Sequence, residues 1–385
     1  MQFVQTFAWQ LPTKIVFGSG KIKEIGVVAQ TLGATKVLVV SDPILRKIGI
    51  VDEIGGYLTE AGLPWTVYDG VEPNPTVEVV EKGLEVARGF GCDVLVGLGG
   101  GSSIDTAKAI ALMLNNPGKI GDYWGKEPPN CALPVVAVPT TAGTASEVTW
   151  VTVIKDTERK VKMGIGHPKL AAAIALCDPT LSVTMPPSVT ASTGLDALTH
   201  AIESYTNSVT EPISEAIALE AIRLIGKHLR PAVAKGDNLY ARDRMLLASL
   251  MAGLAFANTR LGIVHAITSP LGGYFPVPHG VVNAILLPYA MEFNLVGNLK
   301  KHIEIAKALG EKVEGLSEVE AAEKAVAAVK RLSRDVGLPA GLEQVGVREE
   351  TLPEICAEAM KNVNIPINPR RPVVEDLIDI CKRAM

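Results

Sequence analysis

The sequence predicts an α/β domain over residues 1–185, built on a parallel sheet with helices on both faces, followed by an all-α domain over residues 186–385. Three observations predict this division. At 385 residues the chain is longer than one hydrophobic core usually organises. Its first part alternates β-branched runs with amphipathic stretches of helical period, the pattern of βαβ crossovers. From Pro186-Pro187 onward the apolar residues fall at helical spacing and strand-like runs stop.

The elements follow in order. Lys36–Ser41 is a β-branched run, continuous enough to be buried on both faces, and a helical pattern runs from about Pro43 to Ala61. Trp65–Asp69 is the next strand, and Val77–Phe90 the next helix. Asp93–Leu98 and Val135–Val138 are the third and fourth strands of this series. In the second domain, 188–207, 213–229, 239–257, 299–309, 317–336 and 374–384 carry the helical period. Asn368–Pro372 is a turn before the last helix.

Composition limits the functions to consider. Nearly half the residues are hydrophobic and a fifth are charged, which supports a large core and excludes a disordered chain. A net charge of −4 supplies no basic field for nucleic acid or anionic lipid, and few aromatics are present to stack bases. No uninterrupted apolar run reaches membrane-spanning length, so no membrane partner is expected. The opening Met-Gln-Phe-Val-Gln-Thr-Phe-Ala lacks a charged segment followed by an apolar one, so no secretory signal is read and a cytoplasmic protein is expected. Cys92, Cys131, Cys177, Cys356 and Cys381 are odd in number and contain no CxxC pair. They read as small buried hydrophobes in a reducing compartment.

Three stretches of the first domain invite a chemical reading. Gly18-Ser19-Gly20 lacks the third glycine of a dinucleotide fingerprint, since position 23 is lysine, and reads as a turn into a helix near 20–30. Gly99-Gly100-Gly101-Ser102-Ser103-Ile104-Asp105-Thr106-Ala107-Lys108 follows a strand and opens a helix with a Ser-x-x-Asp capping pattern. A tight, well-capped turn would need fewer glycines. Three in succession bare the backbone amides at a helix N-terminus, which is a pyrophosphate cradle. Pro139-Thr140-Thr141-Ala142-Gly143-Thr144-Ala145-Ser146-Glu147 gathers small hydroxyl side chains at a strand's carboxyl end, where open α/β sheets bind ligands. Taken alone it reads sooner as a polar loop.

The second domain holds a sharper constellation. In Gly194-Leu195-Asp196-Ala197-Leu198-Thr199-His200, Asp196 and His200 stand at i and i+4 on one helical face. His265 and His279 follow, in Gly262–Ile267 and Pro278-His279-Gly280. Three of the chain's six histidines thus fall here, each in an apolar run. Singly, each reads as a surface pair or a satisfied core histidine. Together, three neutral imidazoles and a carboxylate would be costly in apolar surroundings without a shared partner. They form a donor set suited to a borderline divalent ion such as Fe(II) or Zn(II).

With these pieces assembled, the chain resembles the iron-activated (group III) alcohol dehydrogenases along essentially its whole length. The matching pieces are Leu11–Gly18 (LPTKIVFG), Pro73-Asn74-Pro75, the GGGSSIDTAK loop, PTTAGTASE, GLDALTHAIE and the segment from His265 to Pro278-His279-Gly280. The resemblance implies a dinucleotide-binding α/β domain followed by a helical domain, with metal and active site in the cleft between them. It makes Asp196, His200, His265 and His279 the metal ligands, and Gly100, Gly101 and Ser102 the pyrophosphate contacts. Asn74, Thr140, Thr141, Thr144 and Lys162 would touch the rest of the cofactor. Asp42 matches an acidic position at the end of the first parallel strand that binds the adenosine ribose and repels a 2′-phosphate, which favours NAD over NADP. Val151 and Phe256 match pocket positions and would present apolar walls. A homodimer is implied as well.

Two positions depart from the family pattern. Many members carry a histidine four residues after the third ligand, where this chain has Ser269, so a proton-transfer role assigned there is not carried over. The second glycine of PTTAGTGSE is Ala145. The expected reaction is hydride transfer between NAD(H) and a short- to medium-chain primary alcohol or diol, with Fe(II) or Zn(II) as the Lewis acid that stabilises the alkoxide. Dehydroquinate synthases share the architecture but need several basic residues around a phosphorylated substrate, and the ligand helices lack such a cluster. Glycerol dehydrogenases use a different, zinc-adapted ligand set, and a catalytically silent relative would bind metal and NAD without turnover.

Overall fold

Continuous apolar runs need cover on both faces, and the strands of the first unit receive it. The computed structural model describes residues 6–159 and 161–385; the expectation about a leader rests largely on residues 1–5, which lie outside them. The chain divides into two units. One comprises Leu11–Thr141 and Ala145–Val183, the other Ala142–Thr144 and Thr184–Met385 together with the segment ending at Gln10.

The first unit contains β1 (Lys14–Phe17), α1 (Ile25–Thr31), β2 (Val37–Val40), α2 (Pro43–Lys47), α3 (Ile50–Glu60), β3 (Trp65–Tyr68) and α4 (Val77–Phe90). It continues with β4 (Val94–Gly99), α5 (Gly101–Leu114), β5 (Val135–Pro139), β6 (Val151–Asp156), β7 (Val161–Gly166) and β8 (Ile174–Cys177). Six strands form one sheet in the order β1-β8-β5-β4-β2-β3, parallel throughout, while β6 and β7 make a separate antiparallel pair. Side chains alternate across the sheet, so the two sets of residues on each strand meet different helices. Val37, Val39, Val94, Val96, Val136 and Val138 pack with Ile25, Val51, Ile54 and Leu58 of α1 and α3. Leu38, Val40, Leu95 and Ala137 pack with Val80, Leu84, Ile104 and Ile110 of α4 and α5. Each of these valine, leucine and isoleucine side chains, when fully buried, contributes roughly 1.5–3 kcal/mol.

Several elements differ from the sequence expectation. The helix expected from Pro43 to Ala61 is two helices, because Gly49 adopts φ +85° and turns the chain between them. β6, β7 and β8 were not anticipated. Residues 171–176 are alanine-rich and carry no strand signal, but β8 is fixed by pairing with both β1 and β5. Asp42 therefore follows the second strand in the chain, not the first. Cys131 is exposed, unlike the other four cysteines, which are buried thiols as expected.

The second unit contains α6 (Pro187–Thr206), α7 (Pro212–Ala234), α8 (Leu239–Thr259), α9 (Ile263–Tyr274), α10 (His279–Asn294), α11 (Leu299–Ala308), α12 (Glu318–Asp335), α13 (Leu352–Ala359) and α14 (Val374–Arg383). Among its described residues no strand occurs. The sequence reading missed α9, α10 and α13. Pro270 and Pro288 lie inside the first two, and α10 is apolar on nearly all sides, so it shows no periodic stripe. The helix His279–Gly297 is long and apolar enough to cross a membrane, yet 61% of its most apolar window is buried inside the molecule, where α10 packs on α6.

Candidate active site

The sheet's strand order creates a place for a ligand in the first unit. From β2 the chain passes to β3 at one edge, then returns to lay β4 on the other side of β2. In such sheets the crevice outside the carboxyl ends at this switch point binds ligands. Asp42 follows β2, Gly100–Ser102 follow β4, and Thr140–Thr141 follow the adjacent β5.

The glycines after β4 divide their duties. Gly99 has φ +143°, and a Cβ there would lie 2.5 Å from Ser103 Oγ, so that position requires glycine. Gly100 has φ −75°, which any residue adopts, but a Cβ on it would project to within 3.4 Å of Thr141 Oγ1. Its absence keeps the amides of the first turn of α5 bare, and no side chain caps that end. This corrects the Ser-x-x-Asp capping expectation. Ser102 stands inside the helix, and the Asp105 carboxylate accepts a hydrogen bond from Val153 N at 2.9 Å instead. Uncapped first-turn amides facing a strand end suit a pyrophosphate.

Around this cradle, Thr140 N donates to Gly99 O at 3.0 Å, which ties the two loops together. Asp42 caps α2, its Oδ1 accepting from Ile44 N at 2.9 Å and Leu45 N at 3.0 Å. Asn74 adopts φ 57°, a conformation asparagine tolerates, and its Oδ1 accepts from Lys162 Nζ at 2.7 Å. Burial pushes the Lys162 ammonium pKa down. Ala145 also has positive φ, 52°, which is the conformation that the family's glycine would adopt without strain.

A residue the sequence reading did not use holds the Thr/Ser loop. Lys108 is fully buried, and its ammonium donates to the carbonyls of Ser146, Thr149 (2.8 Å) and Val151 (3.2 Å) and to Thr149 Oγ1 (3.3 Å). Its only clue in the sequence was its place one turn after Asp105. Val151, half-buried at the start of β6, is thus fixed through its carbonyl.

The second unit brings the four histidine and aspartate side chains together. Asp196 Oδ1 lies 3.9 Å from His200 Nε2, 3.8 Å from His265 Nε2 and 3.9 Å from His279 Nε2. Donors held about 2.1 Å from a tetrahedral ion stand roughly 3.4 Å apart, so Asp196, His265 and His279 close on a metal with a small inward movement, with His200 approaching the group beside Asp196. The ligand atoms of Asp196, His265 and His279 all lie within 4.8 Å of one another. α6 presents Asp196 and His200 one turn apart, α9 presents His265, and His279 opens α10. The His200 and His265 rings stack at 4.6 Å.

Bonds behind the rings select the nitrogen that faces inward. His200 Nδ1–H donates to Gly143 O at 3.2 Å, and His265 Nδ1–H donates to Glu203 Oε2 at 2.6 Å. Asn283 Nδ2 donates to Asp196 Oδ1 at 2.7 Å. Burial opposes the Asp196 charge, but the three imidazoles outweigh it and hold its carboxyl well below the usual carboxylate range. Burial, with the neighbouring His265, pushes His200 down to about 4, which keeps it neutral and able to bind a metal. Burial also opposes a charge on His265, yet Glu203 and Asp196 prevail and raise it to about 9. That value registers a strongly negative local field, which equally favours a divalent cation. The residues present fit a metal ion.

Access comes at His279, whose side chain is 38% exposed while those of the other three ligands are buried. Phe256 stacks on the His200 ring at 4.5 Å and supplies an apolar wall beside the donors. Ser269 stands on α9 one turn after His265 and is half-buried. Thr144 lies in the short segment of this unit whose Gly143 binds His200. Glu203 and Asn283 escaped the sequence reading, because a glutamate and an asparagine in helices carry no pattern that separates them from surface residues.

Comparison with known proteins accords with this geometry. Residues 12–179 match the family described as iron-containing alcohol dehydrogenase, and residues 190–385 match the C-terminal domain of the Fe-containing alcohol dehydrogenase family. The chain is 44% identical to 1,3-propanediol dehydrogenase of Klebsiella pneumoniae, over 98% of each chain. It is 41% identical to NAD-dependent methanol dehydrogenase of Bacillus methanolicus, over 97% of this chain and 99% of that one. A solved structure of 1,3-propanediol oxidoreductase superposes with a TM-score of 0.97 at 44% identity, covering 99% of this chain and 100% of the other. A nucleotide cradle on one unit, a metal-binding set on the other and matches spanning both lead to one conclusion: the chain belongs to the iron-containing alcohol dehydrogenase family, and is an NAD- and metal-dependent alcohol oxidoreductase.

Proposed function

We propose that the protein interconverts short primary alcohols or small diols and their aldehydes, with NAD preferred over NADP. The observation that carries this reading is the Phe256 ring stacked on His200 beside the four converging donors, which offers an apolar surface where a small substrate's carbon chain would rest. The relatives that act on 1,3-propanediol and methanol support the same substrate size.

Asp196, His200, His265 and His279 hold the metal, and Gly100, Gly101, Ser102, Asn74, Thr140, Thr141, Thr144 and Lys162 hold the cofactor. The metal supplies Lewis acidity toward the substrate oxygen, and NAD supplies the hydride acceptor. Of the protein's own groups, Phe256 excludes water from the substrate's carbon chain. Asp42 presents a carboxylate toward the adenosine end, one oxygen engaged in capping α2 and the other left for ribose hydroxyls. Ser269 keeps its hydroxyl proton near neutrality and so does not serve there as an ionising acid or base. The protein acts in the cytoplasm as a homodimer.

The test loads metal-stripped protein anaerobically with Fe(II) or Zn(II) and follows NADH oxidation with aldehydes from acetaldehyde to hexanal, 3-hydroxypropanal and a sugar acid semialdehyde. Turnover should be greatest with the short unbranched aldehydes. Tight binding of metal and NADH without turnover of any aldehyde would overturn the reading.

A further inference from the structure

We infer that Glu203 is a positioning residue for the metal-binding set, holding His265 so that its Nε2 faces Asp196, His200 and His279. The inference rests on the site reading above and adds a residue that reading did not contain. Glu203 is 6% exposed, and both its oxygens are committed. Oε2 accepts from His265 Nδ1 at 2.6 Å, and Oε1 accepts from Val264 N at 2.6 Å. The two bonds seize consecutive residues in the first turn of α9, a helix whose own N-cap, Gly262, supplies no side-chain cap. One carboxylate thus caps α9 and fixes the rotation of the ring that α9 carries. It comes from α6, three residues after His200, so the helix that presents two ligands also aims the third.

Gly262 completes the arrangement. A Cβ at that position would stand 2.8 Å from Glu203 Oε1 and 3.3 Å from Asn368 Oδ1. Its φ of −142° is ordinary, so backbone strain does not demand the glycine. The close approach of the carboxylate does. A metal-bound imidazole that donates its second N–H to a carboxylate is held in one tautomer and made a stronger ligand.

A cap alone would be served nearly as well by glutamine, whose carbonyl can still accept from Val264 N, and this separates the two roles. Zn(II) affinity is measured by competition with a chromophoric chelator in the parent, Glu203→Gln and Gly262→Ala, alongside melting of each metal-free protein. The 15N shifts of the His265 ring are read above pH 10, where the ring is neutral, in the metal-free parent and in Glu203→Gln. The expected result is a parent ring protonated at Nδ1, a loss of that preference in Glu203→Gln, and Zn(II) binding weakened about 10- to 100-fold in both variants. Glu203→Gln should melt close to the metal-free parent. Parent-like Zn(II) affinity in Glu203→Gln would overturn the inference. So would a parent His265 ring protonated at Nε2 alone, a measurement that needs no variant to fold. A parent that binds no Zn(II) would instead defeat the reading of the site itself.

Discussion

Asp42 caps α2, and its proposed part in choosing the cofactor can be separated from that cap. Its Oδ1 caps α2, while its charge lies at the end of β2 beside the glycine loop. Serine retains an oxygen for the cap and removes the charge. Asp42→Ser should therefore raise the NADPH to NADH ratio of kcat/KM roughly tenfold, equivalent to ~1.4 kcal/mol, with an unchanged melting temperature. An unmoved ratio would assign Asp42 to the cap alone. At Ser269, alanine should leave most of kcat in place, whereas Ser269→His should add an ionisation near pH 6.5 to the kcat profile. A large loss in Ser269→Ala, with metal and NADH binding intact, would make the hydroxyl a required link in proton transfer. The clustered imidazoles were legible because histidine is scarce and conspicuous in an apolar run. Glu203 was not, since its burial depends on α9 folding over it, and nothing near it in sequence announces that contact.

Among the elements, the β4–α5 junction shows how backbone and side-chain demands separate. Gly100 has an unstrained φ, so Gly100→Val should melt within a few degrees of the parent. Its side chain would nevertheless cover the first-turn amides and weaken NADH binding by at least about tenfold, measured by fluorescence titration. Equal binding by parent and variant would place the pyrophosphate elsewhere. The strands of this unit that were readable, β2 to β5, are β-branched runs flanked by helices with clear apolar stripes. β8 was unreadable because Ile174-Ala175-Leu176-Cys177 has no local preference for strand and takes its form from two neighbours. α10 was hidden for a related reason: apolar on nearly all sides, it has no polar face to set a period.

At the scale of the whole molecule, two buried features make stability depend on conditions. Glu147 is buried with Oε1 unpartnered among the described residues, and burial pushes its carboxyl up to about 7 from 4.5. Below pH 4.5 both folded and unfolded chains hold this proton and it has no effect. As pH rises toward 7, only the unfolded chain releases it, so folding is disfavoured by up to about 3 kcal/mol above pH 7. Glu147→Gln should therefore melt higher than the parent at pH 8 and no higher at pH 4, as read by thermal denaturation across pH. Identical pH profiles would show that Glu147 ionises freely. Metal should stabilise as well, since Asp196, His265 and His279 come from three helices. An ion at a hundred times its Kd contributes about 2.7 kcal/mol, so chelation should lower the melting temperature and Zn(II) should restore it. Chelation without effect on melting would place the ion outside this set.

The Lys108 ammonium has a further consequence, for what the enzyme can become. Three of its four acceptors are main-chain carbonyls, of Ser146, Thr149 and Val151. The anchor therefore grips mainly the course of the backbone, with Thr149 Oγ1 the one side chain of the segment to which it donates. The other residues between 146 and 151 can be exchanged while the chain keeps its path, and Val151 can grow or shrink without releasing the loop. Selection for a new alcohol has a tolerant segment to work on, held by a single lysine that tolerates no exchange.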